Sequence, residues 1–465
     1  MTCQALKRPG RPLKYLYNLF MKYLIPQLPE TVKRAEASGD FKLANTLIDR
    51  LLLKPQPHGM ADRLEFEKER LERIRLAHPY DRKAAQKILR KLLKGFKNAE
   101  LNDWVKAGFA APRMIDGKEK FMSSFASNTI FCDPKLRKRL KKRNKAMAAL
   151  NKKLDKRVNE MIAGAAPEKF RVRARITLDL KSPPKDKVRC WLPFPRVGDQ
   201  VSAARLVSAS HKKYRLAKPG AEHRTIYFEG KDKKFFVEFE YDISESIPAL
   251  PAVSTRNQVP AAVKKYLNEE PPHIVFTPYV KSLVAAIVGK EKDHYKIASR
   301  IYDWLTKNLT YNYVVPYSIF ENISEYCLTN LRGDCGFQAI AFITLCRAAG
   351  VPAKWQSGWF ITEGVASSHD WAMFYCGGWR FADVSFGTSR KKKKENAHRR
   401  FYFGNLDAWR MPANSEMGAH LWPPKKFWRS DPTDNQVGEA ETRSGNIYRN
   451  RFNCKIKLVS YNKIA

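Results

Sequence analysis

The chain has 465 residues, 44% of them hydrophobic and 12% aromatic, and carries a formal net charge of +40. That length exceeds what one hydrophobic core usually organises, so two or three domains are expected, and the apolar share excludes a disordered polymer. The eight cysteines occur singly, without CxxC pairs, which argues against a zinc cage or a small disulfide scaffold and fits a reducing compartment.

In chain order, the apolar stretch from Tyr15 to Ile25 is broken by Asn18 and Lys22 and is followed by no small-residue cleavage site. No export signal is read there, no apolar run reaches bilayer length, and a cytoplasmic location is expected. Residues 1–164 read as a mainly helical region. Phe41, Leu43, Ala44, Leu47, Ile48 and Leu51 have helical spacing, as do Leu89, Leu92, Leu93 and Phe96. Asn144 to Ile162 reads as the last helix before the break at Gly164-Ala165-Ala166-Pro167. No fixed-period repeat is present, which disfavours a solenoid.

The positive charge is uneven. Lys135 to Arg157 holds twelve Lys or Arg residues against the single acid Asp155, and Arg390 to Arg400 forms a second basic run. Such runs predict weak, nonspecific binding of anions or nucleic acid. No zinc finger, RNP-type aromatic motif or KH-type loop accompanies them, so specific nucleic-acid recognition is not expected.

From 168 to 247 the apolar period becomes two. Phe170, Val172, Ala174, Ile176, Leu178 and Leu180 alternate with polar residues, and Phe235, Val237, Phe239 and Tyr241 repeat the pattern. Val188 to Leu192 and Thr225 to Phe228 supply shorter strands of a small antiparallel β-domain. Residues 252–390 then read as a catalytic core and 391–465 as a C-terminal extension that wraps it.

In the core, Lys281 to Val288 and His294 to Asn308 are predicted helices, and Tyr313 to Tyr326 is a polar and aromatic loop. A third helix can be argued from its ends: Asp334 is a good N-cap, and Gly350-Val351-Pro352 a good stop. Phe337, Ile340, Ala341, Ile343, Thr344, Leu345 and Ala348 leave almost no polar stripe between those ends, so the helix is expected to be buried. Cys335 sits in its first turn, where unpaired N–H groups and the helix dipole favour a thiolate. The Asp334 carboxylate opposes that, so the thiol needs a charged partner.

His369 supplies the candidate. His369 to Tyr375 and Trp379 to Val384 read as strands joined at Cys376-Gly377-Gly378. A two-residue loop would send His369 and Asp383 to opposite faces, because side chains alternate. A three-residue loop pairs Tyr375 with Trp379 and Trp371 with Asp383, which makes His369 and Asp383 diagonal neighbours on one face. A working nucleophile, base and orienting acid therefore requires the three-residue loop or an equivalent bulge, and Gly378 suits the left-handed position that closes such a loop.

Gly333-Asp334-Cys335, Leu345 to Ala353, His369-Asp370-Trp371-Ala372 and Gly378 to Asp383 together resemble the transglutaminase-like superfamily, with its papain-related Cys-His-Asp core, in a bacterial multi-domain type. The resemblance implies an α+β fold in which a buried helix packs on an antiparallel sheet, preceded here by the helical region and the small antiparallel β-domain. It implies Cys335 as nucleophile, His369 as base and acid, and Asp383 as orienting carboxylate, with peptide or glutamine-type amides as substrates. The chain departs from animal transglutaminases in having Gly336 where they have tryptophan after the cysteine, and it lacks an EF-hand-type calcium loop. Gln338, Trp359 and Trp371 are further candidates for contact with substrate or oxyanion. The other histidines show no ligand spacing, so neither metal nor cofactor is expected. The competing readings are a cysteine peptidase for short or modified peptides, a fold-retaining binding protein without catalysis, and a basic nucleic-acid-associated scaffold.

Overall fold

The computed structural model of the chain describes residues 24–142, 145–389 and 396–464. Cys3, most of the Tyr15–Ile25 stretch and the Arg390–Lys394 run lie outside the described residues. Among the described residues, no helix is long and apolar enough to cross a membrane.

The N-terminal region is built of short helices, including Glu30–Ala37, Phe41–Leu52, α1 (Met60–Ala77), Arg82–Leu92 and Asn98–Lys106. Asp40 and Asp81 cap two of them by accepting from Leu43 N and Ala84 N, as short polar side chains do at helix starts. Val32, Phe41, Ala44 and Ile48 pack on Leu64, Leu71 and Ile74 of α1 in a separate small core. The next long helix, α2 (Lys145–Ile162), leads into the β-domain.

The alternating segments form β1 (Lys169–Leu180), β2 (Val188–Pro193), β3 (Val201–Ala209), β4 (Arg215–Leu216), β5 (Thr225–Gly230) and β6 (Lys234–Ser244). Val172, Ala174, Ile176 and Leu178 of β1 face Phe235, Val237, Phe239 and Tyr241 of β6 in one buried layer. The other face of this sheet is a charge ladder, in which Arg171, Arg173 and Arg175 pair with Asp242 and Glu238.

The core begins with helix Pro278–Val288 and α3 (His294–Asn308), followed by α4 (Ile323–Asn330) and α5 (Cys335–Ala348). Thr310–Tyr311 pairs in parallel with Arg332–Gly333, fixing the chain immediately before Cys335. Asp334 caps α5 by accepting from Phe337 N, and Gly350 takes φ +83° where the helix stops. Phe337, Ile340, Phe342, Ile343 and Leu345 are wholly buried, each side chain contributing about 1.5–3 kcal/mol. α5 packs on a five-stranded sheet made from β7 (Ala353–Thr362), β8 (Val365–Tyr375), β9 (Trp379–Ala382), β10 (Phe403–Gly404) and β11 (Arg410–Asn414), in the order β10-β9-β8-β7-β11.

The hairpin has the predicted register: Tyr375 pairs with Trp379 across a three-residue loop. Two details differ. The left-handed residue is Gly377, at φ +67°, not Gly378, because Cys376 N–H donates to the Gly378 carbonyl and the loop turns between them. The second strand ends at Ala382. Asp383 instead caps a short helix, α6 (Val384–Thr388), by accepting from Phe386 N.

The C-terminal extension also contributes strands outside the five-stranded sheet. It adds β12 (Glu439–Glu441), β13 (Asn446–Ile447) and β14 (Phe452–Ile464) to the β-domain. The two sheets there run β13-β12-β2-β5-β4 and β14-β1-β6-β3. Strand β14 pairs along the full length of β1, so the small β-domain is closed by the chain's own end.

Candidate active site

At the start of α5, Cys335 is buried and its Sγ donates to Asp370 Oδ2 at 3.2 Å. Asp370 is the residue after His369 on β8. Its other oxygen accepts from Gln436 Nε2 at 2.5 Å, and the same amide donates to the His369 carbonyl at 3.1 Å. Tyr317 adds a hydroxyl that donates to Asp334 Oδ1 at 2.6 Å and to Asp370 Oδ2 at 3.3 Å. The thiol is thus surrounded by carboxyl groups.

Their protonation follows from burial and from one another. Burial pushes Asp334 up to about 6. Asp434, buried beside Asp431, is pushed up to about 7. Asp370 rises well above the carboxylate range, first through burial and then through the charges of Asp434 and Asp334. Burial, with Asp370 and Asp334 beside it, drives the Cys335 thiol well above its ordinary value. The helix terminus favours a thiolate, and the burial and carboxyls around it overrule that preference at rest.

The imidazole sits in the opposite electrostatic setting. His369 Nε2 and Asp383 Oδ2 are 2.7 Å apart, the contact that the three-residue hairpin predicts. Arg410 Nη2 reaches the same Oδ2 at 2.8 Å, while Ser385 Oγ and Phe386 N donate to Oδ1 at 3.0 and 3.1 Å. Burial alone would raise the Asp383 carboxyl, but His369 and then Arg410 hold it well below the usual carboxylate range. The His369 ring packs against Phe386 of α6 at 5.2 Å and Trp371 at 5.8 Å.

Among the described residues, no hydrogen bond joins Cys335 to His369. The two halves meet at consecutive residues of β8 that point to opposite sides of the strand. Asp370 shares its side with Phe374, which packs on Phe342 of α5, whereas His369 lies past the end of β9, where α6 crosses.

The remaining candidates lie in packing positions. Gln338 is wholly buried, with its amide donating to the Gly333 carbonyl and accepting from Thr388 Oγ1. Trp359 donates to the carbonyl of Gln436, whose side chain holds Asp370, and stacks on Phe239 of the β-domain. Trp371 donates to Gln356 Oε1 at 2.6 Å and backs the imidazole. Gly336 has a specific reason: any side chain there would overlap the ring and hydroxyl of Tyr317, which occupies that space. No group of three or more His, Cys, Asp or Glu side chains among the described residues is placed to hold a metal ion.

Tyr317 is itself held from far away in sequence. Arg70 Nη1 donates to the Ile319 carbonyl at 2.7 Å, Arg73 Nη1 to Ser318 Oγ at 2.7 Å, and Arg63 Nη2 to Glu321 Oε1 at 3.1 Å. Three arginines of α1 thereby fix the turn that covers the thiol. A groove of about 1120 Å³ lies on the outer side of the same segment, lined by Arg70, Tyr313, Phe320, Tyr326 and Arg332. None of Cys335, His369 and Asp383 lines it.

Residues 281–384 match the family model described as the transglutaminase-like superfamily. That segment is a transglutaminase-like core. An uncharacterized protein of Haemophilus influenzae is 28% identical over 194 residues, which is 35% of this chain and 52% of that protein. The chain therefore aligns with about half the length of that relative. A Cytophaga hutchinsonii structure described as a candidate cysteine protease is 14% identical, covering 65% of this chain and 92% of that one, with a TM-score of 0.43. The periplasmic domain of TgpA from Pseudomonas aeruginosa is 13% identical, covering 52% of this chain and 93% of that domain, with a TM-score of 0.27. The transglutaminase-like core spans α3, α4, α5 and the β7–β9 sheet, and so holds Cys335, His369 and Asp383 together. Its match ends before Asp407, Arg410 and Gln436, which come from the segment that follows.

Proposed function

We propose that the chain is a thiol enzyme that acts on peptide or glutamine-type amides through a thioester on Cys335. The observation that carries this reading is the 2.7 Å contact of a buried, ionised Asp383 with Nε2 of His369, the residue that precedes Asp370, the sulfur's partner. With Nε2 committed to Asp383, Nδ1 is the nitrogen left to take the thiol proton. Turnover then requires a rearrangement in which Sγ leaves Asp370 and comes within reach of that nitrogen, which points to the other side of β8; there the S–H bond breaks and an N–H bond forms. The thiolate adds to the amide carbonyl, and the imidazolium returns its proton to the departing amine. The backbone N–H of Cys335, at the head of α5, is the candidate oxyanion donor. Water then hydrolyses the thioester, or a second amine takes the acyl group.

The hydrogen bond from the thiol to Asp370 favours a second reading, a binding protein that keeps the fold without turnover. Labelling with iodoacetamide at neutral pH, followed by intact mass, separates the two. For the enzyme, Cys335 is expected to label faster than the other cysteines, and His369→Ala to slow it at least roughly tenfold. Equal labelling across the cysteines supports the binding protein. A glutamine-containing peptide incubated with a primary amine tests the chemistry directly, because deamidation, chain cleavage and amine incorporation give different mass changes. Cys335→Ala is expected to abolish all three, and activity that survives it defeats the reading.

A further inference from the structure

Arg410 is wholly buried, and both terminal nitrogens of its guanidinium are paired with carboxylates while its Nε has no hydrogen-bond partner among the described residues. Nη2 donates to Asp383 Oδ2 at 2.8 Å and Nη1 to Asp407 Oδ1 at 3.0 Å, while the rings of Phe386 and Phe360 lie 4.3 and 5.1 Å from its centre. A buried arginine between two buried carboxylates is costly to assemble, and removing any one member strands a charge. Aromatic faces on the guanidinium and fixed donors on both acids make its geometry unique rather than approximate.

The oxygen that Arg410 holds is the one that meets the imidazole. Asp383 Oδ2 thus sits between His369 Nε2 and Arg410 Nη2, and its partner oxygen is occupied by Ser385 and Phe386. Strand β11 carries Arg410 and pairs with β7, on the opposite side of β7 from β8, so the anchor is delivered by the segment after the transglutaminase-like core. Asp407 is fixed in turn by Tyr402 Oη at 3.2 Å and Trp409 N at 2.9 Å.

We infer that Arg410 is a positioning residue of the site, holding Asp383 Oδ2 aimed at His369 so that the imidazole is presented in one tautomer. The row of groups behind the thiol is then His369, Asp383, Arg410 and Asp407, and the C-terminal extension is a working part of it. The inference rests on the enzymatic reading above. The charged or titratable groups facing Asp383 are His369 from β8, Arg410 from β11, Asp407 from the turn before β11, and Tyr302 of α3, whose hydroxyl lies on the Asp383 carbonyl.

The test follows iodoacetamide labelling of Cys335 across pH in the full chain, with intact-mass readout. Wild type and His369→Ala are compared first. If removal of the imidazole does not slow labelling, the enzymatic reading itself has failed, and this is known before any Arg410 variant is read. If it does, Arg410→Met is expected to slow labelling by roughly 10- to 100-fold, the usual scale for groups that orient a site from behind. Its acid limb moves to higher pH, since Asp383 then protonates more readily. Arg410→Lys restores the positive charge without the fork, so it is expected to lose only several-fold and to leave the acid limb in place. A folded Arg410→Met variant with the wild-type rate and pH profile overturns the inference. If Arg410→Met does not fold, Arg410→Lys decides: a several-fold loss supports the role, and the wild-type rate overturns it.

Discussion

The sulfur half and the imidazole half of the site are equally buried yet have opposite electrostatics. Around Cys335 the neighbours are Asp370, Asp334 and Tyr317, with Asp434 close behind, whose carboxyl Arg449 and Arg429 offset only in part. Around His369 the acid is a single carboxylate with four donors, one of them a guanidinium. Burial raises an acid, and only specific donors reverse it, so Asp383 is held ionised while Asp334, Asp370 and the thiol are pushed toward their neutral forms. One half is assembled around an ionised acid. The other holds its thiol protonated at rest, against Asp370.

The largest effect should come from breaking the assembled half. Asp383→Asn keeps the shape of the side chain but removes the charge that His369 and Arg410 both use. It is expected to cut turnover on a glutamine-containing peptide by roughly 10³- to 10⁴-fold, as in the serine template, with substrate binding little altered. A loss under about tenfold would mean that the imidazole does not depend on Asp383.

Asp370→Asn tests the dormant half and has the opposite sign. It removes the sulfur's hydrogen-bond acceptor and one of the carboxyls that oppose a thiolate, at little change in volume. Iodoacetamide labelling of Cys335 is expected to speed up about tenfold, the equivalent of one unit of thiol acidity, and its pH profile to move down. Slower labelling would instead make Asp370 a proton acceptor that the chemistry needs.

The sequence made the assembled half legible and left the dormant half hidden, for a physical reason. His369 and Asp383 are 14 residues apart in one hairpin, where alternation and loop length alone decide whether they meet. Cys335 could be placed at a helix start because Asp334 and Gly350 punctuate that helix. The sulfur's contact with Asp370 depends instead on how α5 lies against β8, which no local pattern encodes. Arg410, Asp407 and Gln436 come from the extension, and Tyr317 is fixed by arginines of α1 more than 240 residues earlier. Those charged residues carry no period and no spacing rule. The β-domain's inner face was legible for the same reason as the hairpin, whereas its closure by β14 was not, because Phe452 to Ile464 pairs with a strand, Lys169 to Leu180, more than half the chain earlier.

The smallest predicted effect refines the contrast. Tyr317→Phe deletes one hydroxyl that donates to both Asp334 and Asp370, so each carboxyl loses a donor that favours its charged form. Cys335 labelling should change in the same direction as in Asp370→Asn but only a few-fold. The stability cost should depend on pH, and its sign can be worked out. Asp334 is raised to about 6 in the folded state, so between about pH 4 and pH 6 the folded chain binds more protons than the unfolded one and loses stability as pH rises. Without the hydroxyl that window extends upward. At pH 4 both states are mostly neutral at this carboxyl, and the variant loses only an ordinary hydrogen bond, about 1 kcal/mol. At pH 8 it also loses the stabilisation of the charged carboxyl, so urea unfolding should reveal a larger difference from wild type at pH 8 than at pH 4. An equal difference at both values would mean that Tyr317 only fills space beside Gly336, and that the carboxyls around the sulfur are governed by burial alone.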